Sequence, residues 1–165
     1  ANIAPNTPLY KDGKIFFCHG YNINGVMLQL SDDLKSVSVV WRTDVLDTHH
    51  GGYVEVNGTI YGSNWINNNQ GNWCAIDWNT GAKGYETTWT GGKGKGSIIA
   101  ADGMLYCYDE RRGAVALVNP DPAKFDIVSE FRITKGVGPH WAHPVIVNGV
   151  LYIRHGFALM AYKVK

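Results

Sequence analysis

The stretch VNGVLYIRHGFALMAY, residues 147–162, alternates short apolar runs with turn residues. Asn148-Gly149 favours a two-residue hairpin turn, because both central residues of a type I′ turn need a positive φ. A second break, RHG, separates the run after that turn from another apolar run. The stretch therefore predicts consecutive antiparallel β-strands.

The same phrase occurs four times along the chain. Its copies are DGKIFFCHG, NGTIYGSNW, DGMLYCYDE and NGVLYIRHG, which begin at Asp12, Asn57, Asp102 and Asn148. The starts are 45, 45 and 46 residues apart, and each copy has a further apolar run before and after it. The first three copies are followed by a fourth run. Four short strands in every ~45 residues are typical of one blade of a β-propeller.

The repeats predict an all-β fold, a β-propeller of four blade units of four antiparallel strands in which the last blade lacks its outer strand. We expect a single partial propeller domain over residues 1–165, with blades at approximately 6–41, 50–89, 96–131 and 142–165. An incomplete ring exposes strand edges. The expected partners are therefore the missing half of a longer propeller, of which this is the C-terminal part, or a second copy of the chain.

Composition argues against several kinds of partner. Fifteen Lys and Arg against fourteen Asp and Glu give a formal net charge of +1, which offers no electrostatic reason to expect nucleic acid or an anionic membrane. No apolar run approaches the ~20 residues of a membrane-spanning helix. The opening ANIAPNTPLY has no charged and then apolar region, so no signal peptide is expected within the chain.

The three cysteines, Cys18, Cys74 and Cys107, all lie within apolar runs. Their odd number and wide spacing predict neither a disulfide framework nor a zinc site. Free cysteine packs like a small hydrophobic residue, so we expect three buried thiols.

The segment AIDWNTGAKGY, residues 75–85, resembles the tryptophan-docking repeat of the pyrroloquinoline-quinone (PQQ) quinoprotein propellers, Ala-x-Asp-x-x-Thr-Gly-x-x-x-Trp. Four positions match and the fifth carries another aromatic residue: Ala75, Asp77, Thr80, Gly81 and Tyr85. In such a repeat Asp and Thr hold the turn between the third and fourth strands, and the aromatic packs against the next blade. Blades one and three match the motif only weakly.

The resemblance implies two alternative functions. The PQQ-like family includes quinoprotein alcohol and glucose dehydrogenases, a lipoprotein of outer-membrane β-barrel assembly and many exported bacterial proteins. The first hypothesis is a non-catalytic periplasmic or exported propeller without a cofactor, which acts as a ligand-binding or assembly scaffold through its loop face and channel mouth. The alternative is a PQQ-dependent alcohol or sugar dehydrogenase that holds PQQ with calcium.

Propeller connectivity brings the long polar loops to one face. These loops join the second strand of a blade to the third (B–C segments) or the fourth strand to the next blade (D–A segments), while the opposite face has compact turns. Long loops on a rigid scaffold are where binding sites usually occur. We therefore expect a small polar ligand, such as a sugar, to contact residues at this mouth: His50, Trp65, Lys95, Arg111, His143 and Arg154.

Each group near the mouth has two interpretations. Histidines precede the first strands of blades two and four (His49, His50, His140 and His143), and they suit either a divalent metal or a structural role. The loop GGKGKG, which includes Lys93 and Lys95, suits either an anion or a flexible crossover. The Asn-rich loop around Trp65 either binds a sugar or is an ordinary polar loop. Arg111, Arg112, Arg154 and His155 suit a carboxylate or a solvated rim.

Bulky aromatic residues end the fourth run of the first three blades. They are Trp41, Trp89 and Phe131. Together with Tyr85, we expect them to be mostly buried between neighbouring blades. We expect no covalent mechanism, because Cys18 and His19 are adjacent on a predicted strand and point to opposite faces.

Overall fold

The computed structural model describes residues 4–92 and 94–164. These residues form four antiparallel sheets of four, four, four and three strands and contain no helix, which confirms the predicted fold class. Accordingly, none of them belongs to a helix that could cross a membrane. In chain order the strands are β1 (Leu9–Lys11), β2 (Lys14–Cys18), β3 (Gly25–Leu30), β4 (Val37–Thr43), β5 (Tyr53–Val56), β6 (Thr59–Ser63), β7 (Trp73–Asp77), β8 (Lys83–Thr87), β9 (Gly96–Ala101), β10 (Met104–Asp109), β11 (Ala114–Asn119), β12 (Asp126–Arg132), β13 (Val145–Val147), β14 (Val150–His155) and β15 (Ala158–Lys163).

Each sheet is one blade whose strands pair in sequence order. Blade one is β1–β4, blade two β5–β8, blade three β9–β12 and blade four β13–β15. The first strands β5 and β9 contact each other, which places the first strand of a blade at its inner edge. The third and fourth strands then lie towards the outside.

The hairpin between the first and second strands has the same turn in all four blades. Both central residues of each turn have a positive φ, as a type I′ turn requires. The pairs are Asp12 and Gly13, Asn57 and Gly58, Asp102 and Gly103, and Asn148 and Gly149. This shared turn fixes the register of every inner hairpin and therefore which side chains face each neighbouring blade.

The Asp-Thr-Gly turn of blade two is built as its motif predicts. Asp77 Oδ1 accepts hydrogen bonds from the backbone N–H of Thr80 (2.8 Å) and from the Thr80 hydroxyl (2.8 Å). Thr80 Oγ1 accepts the N–H of Ala82 at 3.2 Å. Gly81 has a φ of +72°, and a Cβ there would lie 2.7 Å from the indole of Trp41. The aromatic residue of blade one therefore packs on the glycine turn of blade two.

Cross-strand pairing identifies the equivalent docking positions. Trp41 pairs with Met27 in blade one, Tyr85 pairs with Ala75 in blade two, and the same register places Ser129 opposite Leu117 in blade three. Tyr85 is buried, with its ring centroid 6.2 Å from that of Phe125 in blade three. Trp41 and Tyr85 are thus the equivalent pair.

The prediction that Phe131 is buried between blades is wrong. Its side chain is 40% exposed, and its ring lies 4.8 Å from the ring of Tyr162 on β15. Phe131 is on the outer strand of blade three, and the described part of blade four has no fourth strand to cover it. Of the other three aromatic residues, Trp89 is 1% exposed, Tyr85 is buried and Trp41 is partly buried.

The core consists of three apolar layers, one between each pair of neighbouring blades. Representative residues are Phe16 and Ile60 for the first layer, Trp73 and Cys107 for the second, and Val115 and Leu151 for the third. The three cysteines are free and buried, as predicted.

The outward faces of the two terminal blades remain apolar and exposed. Val145, Val147 and Leu159 are exposed on blade four, and Tyr10 and Val39 are exposed on blade one. The opposite face of each of these two blades is buried in an apolar layer. The two faces of one sheet therefore differ in exposure to solvent although both are apolar.

Candidate functional site

Buried aspartates fix the loops around the channel mouth. Asp47, in the D–A segment after blade one, accepts backbone N–H groups from the B–C segment of blade one: Gly20 (2.8 Å) and Asn24 (3.1 Å) on Oδ1, and Asn22 (2.7 Å) on Oδ2. Burial raises the pKa of Asp47 above its ordinary value, and the three N–H groups oppose part of that shift. The loop is therefore held by an internal acceptor.

The B–C segment of blade three is held in a similar way. Asp109 Oδ2 accepts the backbone N–H groups of Arg111 (3.1 Å) and Arg112 (2.5 Å). The exposed side chain of Arg111 extends to blade two, where Nη1 donates to the carbonyl of Asn69 at 2.9 Å. Arg111 therefore bridges the B–C segments of blades two and three.

A buried ionic network lies at the centre of this face. Lys95 Nζ donates to Glu110 Oε1 (2.5 Å) and to the carbonyls of Asn67 (3.2 Å) and Asn68 (3.1 Å), which uses all three of its N–H groups. His50 Nε2 lies 3.1 Å from Glu110 Oε2. Burial alone would raise the pKa of Glu110, but its interactions with His50 and Lys95 outweigh burial and hold the pKa below its ordinary value.

Aromatic and imidazole rings form the wall above this network. The Tyr21 hydroxyl and His49 Nε2 are 2.6 Å apart. Burial, then the charges of His50 and Lys95, lower the pKa of His49 below its ordinary value. Trp141, 57% exposed, places its ring 5.4 Å from that of His50, edge to face.

Together these residues enclose a cavity of about 340 Å³ that we call the mouth cavity. Its lining residues are Tyr21, His49, His50, Asn68, Lys95, Glu110, Arg111 and Trp141. The cavity combines fixed polar groups with exposed aromatic surface and opens on the loop face.

Three of the six predicted ligand-binding residues line the mouth cavity: His50, Lys95 and Arg111. Trp65 lies beside it, with its ring 5.0 Å from that of Tyr21. Arg154 is exposed on β14 opposite Leu159 and is not among the lining residues. Lys93 lies outside the described residues.

His143 belongs to a second cavity, of about 370 Å³, at the inner edges of the blades. This axial cavity is lined by Pro5, Asn6, Thr7, His50, Gly52, Tyr53, Ile98 and His143. His143 Nε2 lies 2.8 Å from the carbonyl oxygen of His50, which it approaches from the segment before blade four. His50 therefore lies between the axial and mouth cavities, since it lines both.

Two other histidines stack inside the loop face. The rings of His140 and His155 are 3.7 Å apart and nearly parallel, and the Tyr108 hydroxyl lies 2.5 Å from His140 Nδ1. Each ring nitrogen of His155 is 2.7 Å from a backbone carbonyl, that of Lys135 or Gly138. Burial, and then the charge of His155, lower the pKa of His140 to about 4. These contacts join blade three to blade four.

Sequence reasoning did not select Glu110, Asp47 or Tyr21. The register of the β9–β10 hairpin could have identified Glu110. The Asp102-Gly103 turn pairs Asp109 with Gly96, so the next residues outward, Glu110 and Lys95, are expected to be opposite each other. Asp47 and Tyr21 meet through irregular loops, for which the sequence offers no register.

Known structures share this architecture. BamB from Moraxella catarrhalis superimposes with a TM-score of 0.70 and 16% identity over 94% of this chain, which spans 41% of the BamB chain. The quinohemoprotein alcohol dehydrogenase ADHIIG from Pseudomonas putida HK5 gives a TM-score of 0.61 and 15% identity over 93% of this chain, against 29% of its own length. The fold shared with these structures is a β-propeller.

At these identities the likeness concerns the fold. The chain spans less than half the length of either propeller protein. No protein-family model matches the sequence, and no curated protein matches it either.

The lining of the mouth cavity does not offer the oxygen ligands of a calcium site. Ca²⁺ takes roughly six to eight oxygen ligands, largely from carboxylates and carbonyls. Among the described lining residues the carboxylate is Glu110, which Lys95 and His50 already engage. Nor do the described ranges contain a group of three or more His, Cys, Asp or Glu placed to hold a metal ion. We therefore derive no quinone chemistry for this cavity.

Proposed function

We propose that this chain is a non-catalytic propeller module that binds a small polar ligand, a sugar, in the mouth cavity. The observation that carries the proposal is that the Lys95–Glu110–His50 network and the exposed ring of Trp141 line the same cavity. The Lys95–Glu110 ion pair is buried, and all three N–H groups of Lys95 Nζ are hydrogen-bonded, which holds both side chains in fixed positions. The ligand therefore meets polar groups that need little reorganisation on binding.

The two kinds of lining surface match the two kinds of surface on a sugar ring. A pyranose has an apolar face of C–H groups, which packs on a flat aromatic ring such as Trp141. Its rim of hydroxyls needs both donors and acceptors, which Asn68 and the imidazoles of His49 and His50 provide. A cavity of about 340 Å³ lies within the usual range of small-molecule sites, roughly 300–1,000 Å³.

A binding role agrees with the chemistry of the three cysteines, which are buried in the core and do not line the mouth cavity. Burial raises the pKa of Cys18 to about 12 and also raises the pKa values of Cys74 and Cys107. These thiols are therefore protonated near neutral pH, whereas catalysis needs the thiolate. Glu110, held in its ion pairs, is a poor general base.

A panel of monosaccharides tests the proposal by ligand-observed NMR and thermal shift. We expect binding by at least one neutral or acidic sugar and an affinity at least tenfold lower for Trp141→Ala. Phe157→Ala is the matched control, because Phe157 is also an exposed aromatic residue but lies in the β14–β15 turn of blade four. A panel without any binder, or equal binding by the Trp141→Ala variant and the parent, would contradict the proposal.

We further propose that the ring is completed by additional blades or by a second copy, and that the protein is periplasmic or exported. Support for completion comes from the apolar outward faces of blades one and four and from the 41% coverage of BamB. Support for export comes from the resemblance of the Asp77–Gly81 motif to a repeat family with many exported members. Fractionation of cells that produce the full-length protein tests export, and a purely cytoplasmic location contradicts it.

A further inference from the structure

We infer that the ligand is an acidic oligosaccharide that spans the mouth cavity and a neighbouring cavity, with a carboxylate bound by Arg111. This inference rests on the proposed function and extends it from one sugar unit to a chain. The second cavity, about 580 Å³ in volume, lies on the loop face between blades two and three, and we call it the interblade cavity. Its lining includes Ile66, Gln70, Asn72, Thr88, Thr90 and Arg111.

Arg111 joins the two cavities, because it lines both. Its Nη1 group donates to the Asn69 carbonyl at 2.9 Å, which holds the guanidinium between them. Among the described residues, no carboxylate forms a salt bridge with it. A guanidinium with free N–H groups binds a carboxylate through two parallel hydrogen bonds.

The charges of the two linings specify an acidic ligand. Lys95 is neutralised by Glu110 at 2.5 Å, and Glu110 also contacts His50. The lining of the interblade cavity has no charged side chain besides Arg111 within the described ranges. Arg111 is therefore the cationic side chain of the two linings that has no salt-bridge partner among the described residues, although the buried Asp109 attracts it at longer range.

The interblade lining suits sugar hydroxyls better than a peptide backbone. Its polar groups are side-chain hydroxyls and amides, and the Thr88 hydroxyl already donates to Asn72 Oδ1 at 3.1 Å. Thr88 and Thr90 follow the end of β8 at Thr87. No strand edge is therefore available at these residues for a peptide to extend by main-chain pairing. Side-chain donors and acceptors remain to define the ligand.

Calorimetry with oligogalacturonides of one to four residues, and with their neutral methyl esters, tests the inference. We expect affinity to increase at least tenfold from the monomer to the tetramer, and the acid to bind at least tenfold better than the ester. Arg111→Gln is expected to bring the acid-to-ester ratio close to one, and Thr90→Val to reduce the gain with chain length. Arg112→Gln is the matched control, since this neighbouring arginine lines neither cavity, and both ratios should remain as in the parent.

The outcomes separate this inference from the proposed function. If monosaccharides bind in a Trp141-dependent way but neither length nor charge improves binding, the inference fails and the proposed function stands. If no sugar of any length binds, both fail. If tetraglutamate binds as tightly as the tetramer with the same dependence on Arg111, the ligand class is wrong.

Discussion

Gly81 and Trp41 show how one residue position joins two blades. The glycine has a φ of +72°, and the indole of Trp41 occupies the space that a side chain would need. Two separate requirements therefore meet at this residue, a left-handed backbone and a close approach. The turn glycine Gly103 has a similar φ of +74°, but a Cβ there would have no atom of another residue within 4 Å, so it has only the first requirement.

We expect Gly81→Ala to destabilise the fold more than Gly103→Ala. The backbone conformation alone costs about 1–2 kcal/mol in each variant, and overpacking against Trp41 adds about 1–3 kcal/mol to the first. Urea unfolding of the two variants measures the difference. Equal losses would show that Trp41 moves aside without cost.

His140 links the stability of the chain to pH. Its pKa is about 4 in the folded chain, against about 6.5 when unfolded. Between these values the unfolded chain binds the proton and the folded chain does not, so the free energy of unfolding falls as the pH drops from about 6.5 to about 4. We expect a loss of about 1–3 kcal/mol over this window.

Urea unfolding at a series of pH values, on the parent and on His140→Gln, isolates this contribution. Carboxylates such as Asp47 also titrate in acid, so the informative quantity is the difference between the two pH profiles. A parallel pair of profiles would contradict the assignment to His140. The exposed Phe157→Gln variant removes no titratable group, so it is the control and should follow the parent.

The hairpins are the element that the sequence predicts best. Each Asn-Gly or Asp-Gly pair fixes a two-residue turn, and the turn fixes the register from which Lys95 and Glu110 are found opposite each other. Outer strands are predicted less well, because register shifts occur between Leu117 and Val118 and between Ala75 and Ile76. A bulge adds a residue to one strand, so the position of an aromatic such as Phe131 cannot be counted along the strand.

We expect Trp89 and Phe131 to contribute differently to the free energy of unfolding. Trp89 is 1% exposed and its indole N–H donates to Glu130 Oε2 at 2.9 Å, so Trp89→Ala should cost about 3–5 kcal/mol. Phe131 is 40% exposed, so Phe131→Ala should cost roughly a third of that value. Chemical unfolding of both variants checks the ranking, and a larger loss for Phe131→Ala would contradict the assignment of its exposed position.

At the scale of the whole molecule, blades one and four each expose an apolar outward face. In blades two and three the corresponding faces are buried against a neighbouring blade. Contiguous exposed apolar surface of this kind marks an interaction site. We therefore expect the isolated chain to associate with a second copy at micromolar concentration. The double variant Val145→Lys with Leu159→Lys should shift it towards the monomer, because both residues lie on the outward face of blade four.

Light scattering on the parent and the variants measures the association. Leu34→Lys is the control, since Leu34 is an exposed apolar residue in the turn between β3 and β4. A parent chain that remains an 18.2 kDa monomer would contradict the expectation.

The sequence predicts the face on which the mouth cavity lies, and its lining residues only in part. Strand connectivity places the B–C and D–A segments on the same face, which suffices to bring His50, Lys95 and Arg111 around one cavity. Arg154 lies outside that cavity, because β14 and β15 join through a tight turn and the arginine remains within the strand. Contacts between irregular loops, such as those of Asp47, follow no repeat and emerge only in the three-dimensional structure.

Two of the four shared hairpin turns are also sites where the protein can deamidate. Asn57 and Asn148 each precede a glycine. In this sequence the backbone nitrogen of the glycine attacks the side-chain amide carbon with least hindrance, the C–N bond of the amide breaks, ammonia leaves, and a cyclic imide forms. Hydrolysis of the imide at one bond yields aspartate, which blades one and three already use in the same conformation at Asp12 and Asp102. Hydrolysis at the other bond yields isoaspartate, whose extra backbone methylene lengthens the two-residue turn. Deamidation is therefore either silent or damaging at these turns, depending on which bond water opens.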